Sequence, residues 1–189
     1  MKILALNASP NKEGNTAFLL QTILDGCDGF ETEMVSVARA MEYARWPFCT
    51  CCSQPCSKIC YTNTYLEDVF QKMREADAII FGSPVYFAGP SAQLKALFDK
   101  SRGLRGEKAF LGKKCAFVAV GASRFGGQES AIIAMHNMAL VHGMTVINPG
   151  SMEYDAGHLG VSAQQPAQQD EFAMARCKSL ALRLKQELA

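Results

Sequence analysis

The sequence predicts an α/β fold with a doubly wound, five-stranded parallel sheet and helices on both faces. Short apolar runs of strand length alternate along the chain with stretches in which apolar residues recur at helical spacing. The two clearest strand runs are residues 77–81 and 115–120, and apart from the initial Asp77 they are apolar rather than alternating with polar residues. Such runs are typical of strands that are buried between two layers of helices.

The elements follow one another in a regular β-α alternation. The predicted strands are residues 2–6, 31–37, 77–81, 115–120 and 144–147. The predicted helices cover about residues 16–26, 64–75, 92–98, 128–142 and 166–188. Two long connections, residues 38–63 and 148–165, are predicted to be loops. Loops of such length are usually functional.

The chain has 189 residues, with 19 basic and 18 acidic side chains and a net charge of +1. We expect one domain over residues 1–189, with a cysteine-rich insertion loop at about 46–62. The near-neutral charge indicates neither a nucleic-acid partner nor a membrane surface. No apolar run is long enough for a signal peptide or a membrane span, so we expect a cytoplasmic protein.

The first strand ends in a polar loop that leads directly into a helix. Residues 9–16 place hydroxyls, an amide, a cation and a glycine beside the unpaired N–H groups of a helix N-terminus. The positive end of the helix dipole adds to them, so the loop suits a phosphate. The alternative is that Asn15 or Thr16 only caps the helix. The loop lacks the Walker and G-x-G-x-x-G patterns, which argues against ATP and a Rossmann-bound dinucleotide.

Two further loops follow the third and fourth strands. Residues 83–90 hold the adjacent aromatics Tyr86 and Phe87 between two prolines, and residues 121–127 are rich in glycine. A stiff backbone can hydrogen-bond the edge of a planar ring while an aromatic side chain covers its face. The alternatives are that Tyr86 or Phe87 packs the sheet edge and that the glycine loop is a mobile turn. Since such sheets bind ligands at the carboxyl ends of their strands, the three loops together predict a mononucleotide site, such as one for FMN.

These loops resemble those of a known family. The run Asn7-Ala8-Ser9-Pro10-Asn11-Lys12-Glu13-Gly14-Asn15-Thr16 resembles the phosphate loop of the NADPH-dependent FMN reductase family. The run Gly82-Ser83-Pro84-Val85-Tyr86 resembles the flavin-ring loop of the same family. The similarity covers most of the chain in order. It implies a flavodoxin-like fold with strand order 2-1-3-4-5 and FMN held by these loops.

The resemblance also implies which residues hold FMN. The phosphate would contact Ser9, Lys12, Asn15 and Thr16. The isoalloxazine ring would be lined by Pro84, Val85, Tyr86 and Phe87, with Gly121, Ser123 and Gly127 opposite. No side chain need act as a nucleophile or general acid, because the flavin carries the chemistry.

The chain has eight cysteines, and five of them lie between residues 49 and 60. In a cytoplasmic protein such clustering indicates metal or redox chemistry rather than structural disulfides. A compact cysteine run occupies this place in the iron–sulfur flavoproteins of the same family, where it binds a [4Fe-4S] cluster beside the flavin. That resemblance implies the ligands Cys49, Cys52, Cys56 and Cys60, with Cys51 spare or substituting. The spacing departs from the usual C-x2-C-x2-C followed by a longer gap.

Three alternatives to the cluster stay open. A zinc ion with four cysteine ligands would make the loop structural. Cys52, Cys56 and Cys60 would instead be buried thiols on one helical face, although a proline within the stretch disfavours a helix. The third alternative is a thiol redox pair or a cluster lost during descent. The isolated cysteines are predicted to be core thiols, namely Cys27, Cys115 and Cys177.

The sequence therefore predicts an FMN-dependent oxidoreductase that transfers electrons between a reduced donor and an acceptor. The resemblance implies ferredoxin-type or NAD(P)H donors, quinones, oxygen species or another protein as acceptors, and a homodimer or homotetramer. One alternative is an NAD(P)H-dependent FMN or quinone reductase with zinc or no metal. Another is a non-enzymatic, flavodoxin-like electron carrier or FMN-binding module, although the chain lacks the acidic surplus that would help it dock on basic partners. The three histidines, His136, His142 and His158, are interpreted as packing or surface residues.

Overall fold

The computed structural model describes the whole chain, Met1–Ala189. The strands are β1 (Lys2–Asn7), β2 (Glu31–Ser36), β3 (Ala78–Pro84), β4 (Lys114–Gly121), β5 (Thr145–Val146) and β6 (Val161–Gln164). They form one parallel sheet in the order β2-β1-β3-β4-β5, and β6 also pairs with β4. The flavodoxin-like fold class and the strand order 2-1-3-4-5 are therefore confirmed.

Seven helices cover the sheet. They are α1 (Asn15–Asp25), α2 (Val37–Glu42), α3 (Tyr65–Glu75), α4 (Ala92–Lys100), α5 (Arg102–Gly106), α6 (Gln128–Val141) and α7 (Glu171–Leu188). A 3₁₀ turn, Ala167–Gln169, precedes α7. None of the helices is both long and apolar enough to cross a lipid bilayer.

The sheet separates two hydrophobic cores because successive strand residues point to opposite faces. In β1, Ile3 and Ala5 pack with residues of α1 and α7, whereas Leu4 and Leu6 pack with residues of α3, α4 and α6. All four side chains are fully buried. Burial on both faces explains why this strand is apolar throughout.

The outer strand of the sheet is split, which the sequence-based prediction missed. The strand predicted at residues 144–147 corresponds to β5. It pairs only with the amino end of β4, where Lys114 and Cys115 lie opposite it. The carboxyl end of β4 pairs instead with β6, which lies inside the predicted loop 148–165. The chain leaves the sheet edge between the two halves, and each half is too short to give a clear period-two pattern. The prediction of an unbroken loop there is wrong.

The predicted loop 38–63 is also shorter than expected, because α2 occupies its start. The side chain of Ser36 caps this helix by accepting a hydrogen bond from the Arg39 N–H at 3.2 Å. With six residues, α2 is too short to show a helical period. The part of the segment that holds the cysteine cluster does lack helix and strand, as predicted.

Candidate functional site

The loop between β1 and α1 is curled by its own side chains. Asn7 Oδ1 accepts from the Ser9 N–H at 3.0 Å, and Ser9 Oγ accepts from the Asn11 N–H at 3.1 Å. Asn11 Oδ1 accepts in turn from the Glu13 N–H at 3.2 Å. These short-range bonds fold the loop back onto the start of α1. Ser9 is buried within it, whereas Lys12, the cation predicted for this loop, is exposed.

The N-terminus of α1 lacks both features that usually satisfy such an end. Its N-cap is Gly14, no side chain accepts a hydrogen bond there, and no acidic residue lies in the first turn. Side chains cap α2, α4 and α7, and acidic residues lie in the first turn of α3 and α6, so only the five-residue α5 shares both absences. The first N–H groups of α1 therefore have no partner within the helix and can bind an external anion. The alternative that Asn15 or Thr16 caps this helix is wrong.

Asn15 and Thr16 are the first two residues of α1, and their side chains have different roles. Asn15 Oδ1 accepts from the Ala167 N–H at 2.8 Å, which ties the start of α1 to the turn before α7. The amide NH₂ of Asn15 remains as a donor. Thr16 is buried at 2 % exposure, in the first turn of α1.

The loop after β3 presents its aromatic residues to solvent. Tyr86 and Gly89 exchange two backbone hydrogen bonds of 2.9 and 3.0 Å, which closes a tight turn. Phe87 and Ala88 occupy its tip with φ values of 49° and 59°. Left-handed backbone in two non-glycine residues is strained and is typical of functional loops. Phe87 is fully exposed and does not pack the sheet edge, whereas Tyr86 is about half exposed.

Direct hydrogen bonds join the loops after β1 and β3 to each other and to the ends of β3 and β4. The Ala8 N–H donates to the Gly82 carbonyl at 2.8 Å, and Ser91 Oγ donates to the Ala8 carbonyl at 2.8 Å. The Val85 N–H donates to the Val120 carbonyl at 2.9 Å. Adjacent parallel strands thus bring the three predicted loops together at one edge of the sheet, around Pro84 at the end of β3.

Gln128 fixes the shape of the glycine-rich loop after β4. Its Nε2 donates to the carbonyls of Ser123 at 2.6 Å and Ala163 at 3.1 Å, and its Oε1 accepts from the Gly126 N–H at 2.9 Å. A Cβ atom on Gly121 would lie 2.5 Å from Gln128 Nε2. These contacts argue against a freely mobile turn. Gln128 could not be predicted from the sequence, because a single glutamine at a helix start carries no distinctive signal.

The clustered cysteines surround one small cavity. Cys49, Cys51, Cys52, Cys56 and Cys60 all line it, together with aromatic and cationic side chains. None forms a disulfide. The thiols share this cavity without converging to ligand distances, since no three metal-ligating side chains are arranged to hold an ion. The stretch contains no helix, so the alternative of three thiols on one helical face is wrong.

Two buried polar groups near this cavity have no hydrogen-bond partner. They are Lys100 Nζ, in a residue exposed by only 1 %, and Tyr61 Oη, in a residue exposed by 2 %. Burial raises the pKa of the Cys60 thiol, and the positive charge of Lys100 opposes that rise. Burial also raises the pKa of Tyr61, with the neighbouring thiols adding to it. Both groups are donors, and a set of metal-bound thiolates would supply the acceptors and the negative charge that they lack.

The remaining cysteines are inert thiols in the core. Cys27, Cys115 and Cys177 are each exposed by 1 % or less, as predicted. Burial raises the pKa of Cys27 to about 11 and those of Cys115 and Cys177 to about 12. At neutral pH these three residues are therefore protonated and unreactive.

The histidines take structural positions. His136 Nε2 lies 2.8 Å from the Leu159 carbonyl oxygen, and His142 Nε2 lies 2.7 Å from Ser101 Oγ. His142 is buried between Phe98 and Phe110. Both positions agree with the interpretation of these histidines as packing or surface residues.

Acidification is expected to destabilise the protein through His142. Burial lowers its pKa from 6.5 to about 4, so the unfolded state binds a proton that the folded state excludes. The stabilisation is complete above pH 6.5 and is lost as the pH falls towards 4, by about 3 kcal/mol in all. Urea unfolding at a series of pH values should show this loss in the wild type and in the exposed-site control His158→Gln. His142→Phe should have a shallower pH dependence, and an unchanged slope would contradict the account.

Comparisons with known proteins agree with this geometry. The profile of the NADPH-dependent FMN reductase family matches residues 1–158. An iron–sulfur flavoprotein of Methanocaldococcus jannaschii is 38 % identical over 183 residues, covering 95 % of this chain and 93 % of the relative. An iron–sulfur flavoprotein of Methanosarcina thermophila is 35 % identical over 187 residues, covering 97 % and 93 %. Among solved structures, a flavodoxin-fold, WrbA-like protein of Agrobacterium tumefaciens superposes with a TM-score of 0.68 at 20 % identity, covering 98 % of each chain.

Fold, loops and similarity together define a flavin-dependent oxidoreductase of the flavodoxin-like class. The chain belongs to the NADPH-dependent FMN reductase family, and its relatives include proteins named iron–sulfur flavoproteins. FMN is the cofactor that this family implies. Membership also favours an enzyme over the non-enzymatic carrier considered above.

Proposed function

We propose that the chain forms one FMN-binding domain in which the N-terminus of α1 holds the phosphate. The observation that carries this proposal is that α1 has neither a side-chain cap nor an acidic residue in its first turn. A phosphate dianion would accept hydrogen bonds from the free N–H groups and would be stabilised by the helix dipole. Ser9, Thr16 and the NH₂ group of Asn15 would add neutral donors, and Lys12 would add a positive charge.

The flavin ring would lie between the loops after β3 and β4. Pro84 and Val85 would form its floor, because both are held by the pairing of β3 with β4. The exposed rings of Tyr86 and Phe87 would cover it, and Gly121, Ser123 and Gly127 would leave room for it on the opposite side. The exposed rings of Tyr86 and Phe87 and the left-handed backbone of Phe87 and Ala88 support this assignment.

The contact between the two ring loops gives a direct test. Gly127 has φ +90°, and a Cβ there would lie 2.7 Å from Ala88 Cα. Gly127→Ala should push the loops apart and weaken FMN binding about tenfold or more, which is about 1.4 kcal/mol. Gly29→Ala is the matched control, because Gly29 has φ +89° and an added Cβ there meets nothing within 4 Å.

Fluorescence titration of apoprotein with FMN measures both variants. Each should lose about 1 kcal/mol of folding stability from left-handed backbone strain. Only Gly127→Ala should lose FMN affinity. Equal affinities for FMN in the two variants would place the ring elsewhere.

We further propose that Cys49, Cys52, Cys56 and Cys60 bind a [4Fe-4S] cluster. Four thiols around one cavity are the donor set that such a cluster requires, and the relatives named iron–sulfur flavoproteins support it. The two unpartnered donors, Lys100 Nζ and Tyr61 Oη, fit an anionic group at this place. Because residues 49–60 lack helix and strand, no regular backbone holds the thiols apart.

The function that follows is electron transfer between a reduced donor, of the ferredoxin type or NAD(P)H, and an acceptor that is a small molecule or a protein. When bound, FMN supplies two-electron and one-electron chemistry, and a [4Fe-4S] cluster supplies one-electron transfer. The residues of this chain bind and orient the two groups and exclude water from their buried sides. The alternative is an NAD(P)H-dependent FMN or quinone reductase with zinc or no metal. The separation of the thiols in this structure is compatible with the form of that alternative that lacks a metal.

Anaerobic purification with quantification of FMN, iron, sulfide and zinc decides between the two. About one FMN with four irons and four sulfides per chain is expected. FMN with zinc, or with no metal, would favour the plain reductase, and steady-state NADPH oxidation with free flavin or quinone would confirm it. Light scattering on the same sample tests the dimer or tetramer that we propose. Absence of FMN would overturn the assignment of the phosphate site.

A further inference from the structure

Lys100 stands apart from the other lysines of the chain. It is the last residue of α4, it is exposed by only 1 %, and its Nζ is buried without a hydrogen-bond partner. Its side chain lines the same cavity as the clustered cysteines. An isolated ammonium group in a protein interior is strongly disfavoured unless an opposite charge faces it.

No carboxylate of the protein provides that charge. None of the ion pairs includes Lys100. Glu107, the acidic residue on the other side of the cysteine stretch, is already paired with Lys58 and Arg74. Asp99, the neighbour of Lys100 in sequence, pairs with Lys95 on the exposed face of α4. The groups that remain to face Lys100 are the cysteines of the cavity.

The cavity carries a second cation that is already engaged. Arg102 donates to the Ser53 carbonyl at 2.9 Å and to the Gln54 side chain, so it holds the backbone of the cysteine stretch in place. Lys58 is likewise engaged by its ion pair. Lys100 is therefore the cation of this cavity that has neither an ion pair nor a hydrogen bond within the chain.

We propose that Lys100 is the counter-ion of the thiolate-ligated centre and that its charge raises the reduction potential of that centre. The inference rests on the proposed iron–sulfur function. Each added electron makes the centre more negative, and a buried cation stabilises the reduced form more than the oxidised form. Burial strengthens the effect because little water screens the charge. Lys100 is thus a positioning and charge-setting residue rather than a catalytic one.

The test compares Lys100→Met with Lys95→Met. Both variants remove one positive charge from α4, but Lys95 is exposed and does not line the cavity. The midpoint potential of the cluster is measured by an anaerobic redox titration followed by electron paramagnetic resonance. Lys100→Met should lower the equilibrium constant for one-electron reduction at least tenfold, a shift of about 59 mV. Lys95→Met should leave the potential unchanged. Lys100→Arg keeps the positive charge, so its potential should stay close to that of the wild type.

A second measurement covers a variant that assembles no cluster. Apoprotein is titrated anaerobically with Zn²⁺ against a chromophoric chelator, because four thiolates on Zn²⁺ also form an anionic centre. Lys100→Met should weaken Zn²⁺ binding about tenfold, which is about 1.4 kcal/mol, and Lys95→Met should not change it.

The outcomes separate the two proposals. A wild-type protein without iron and sulfide would overturn the proposed iron–sulfur function, and the Zn²⁺ titration would then decide the role of Lys100. An intact cluster whose potential is the same in wild type and in Lys100→Met would overturn the role of Lys100 alone. A lower melting temperature with an unchanged potential and unchanged Zn²⁺ affinity would likewise make Lys100 a purely structural residue.

Discussion

FMN is expected to bind this protein at least about 100-fold more tightly than riboflavin, because the α1 N-terminus offers free donors to a phosphate. A hydrogen bond to a charged group contributes about 1.5–3 kcal/mol, and the helix dipole contributes up to about 2 kcal/mol in a partly buried site. Two such contacts exceed the 2.7 kcal/mol or so that a 100-fold ratio requires. Fluorescence titration of apoprotein with each flavin measures the ratio.

Two threonines of α1 supply a matched pair of variants for this prediction. Thr16→Val removes a buried hydroxyl from the first turn, and Thr22→Val removes one that bonds only the Phe18 carbonyl. Thr16→Val should weaken FMN binding about tenfold and leave riboflavin binding unchanged. Thr22→Val should change neither. If FMN and riboflavin bound equally well to the wild type, the phosphate would not lie at α1.

Cys52→Ala is expected to reduce the iron content from about four per chain to less than about one, because a [4Fe-4S] cluster requires four protein ligands. Cys51→Ala is the control, since both cysteines are exposed and adjacent and neither supports the core. It should keep the iron and sulfide. Both variants should keep FMN, because the flavin loops lie on other elements. Iron and sulfide assays on anaerobic preparations measure the effect.

Two other results for the iron content of these variants would change the ligand assignment. Iron lost in Cys51→Ala and kept in Cys52→Ala would make Cys51 the ligand. Iron kept in both variants would contradict the ligand assignment as a whole. Each variant needs its FMN content measured as an internal control for folding.

The strands that sequence analysis located well are those that the fold buries on both faces. β1, β3 and β4 are nearly completely buried. Each can therefore be recognised in the sequence as an apolar run without knowledge of its neighbours. The divided edge strand, β5 and β6, could not be located in this way. Its halves are two and four residues long, and they acquire their identity only by pairing with β4.

The candidate site was predictable to a similar extent. The loops after β1, β3 and β4 could be assigned to one site because parallel strands end at the same edge. Ser91 caps α4, since its Oγ accepts from the Leu94 N–H at 3.3 Å, and a serine just before a helical pattern is a recognisable cap. Its second bond, to the Ala8 carbonyl, depends on a contact between residues distant in sequence and could not be predicted.

The burial of Lys100 is the feature of the site that was least predictable from the sequence. A lysine in the last turn of an amphipathic helix normally lies in solvent and complements the helix dipole. Here the cysteine stretch, which has no periodic pattern, covers it. Its burial is therefore a property of the tertiary structure alone.

An anaerobic reductive titration tests the central claim most directly, because it counts the electrons that one chain accepts. Dithionite is added stepwise to the purified protein while the visible and electron paramagnetic resonance spectra are recorded. We expect about three electrons per chain, two for FMN and one for the [4Fe-4S] cluster. About two electrons per chain, with no signal from a reduced cluster, would contradict the account and leave a plain flavin reductase.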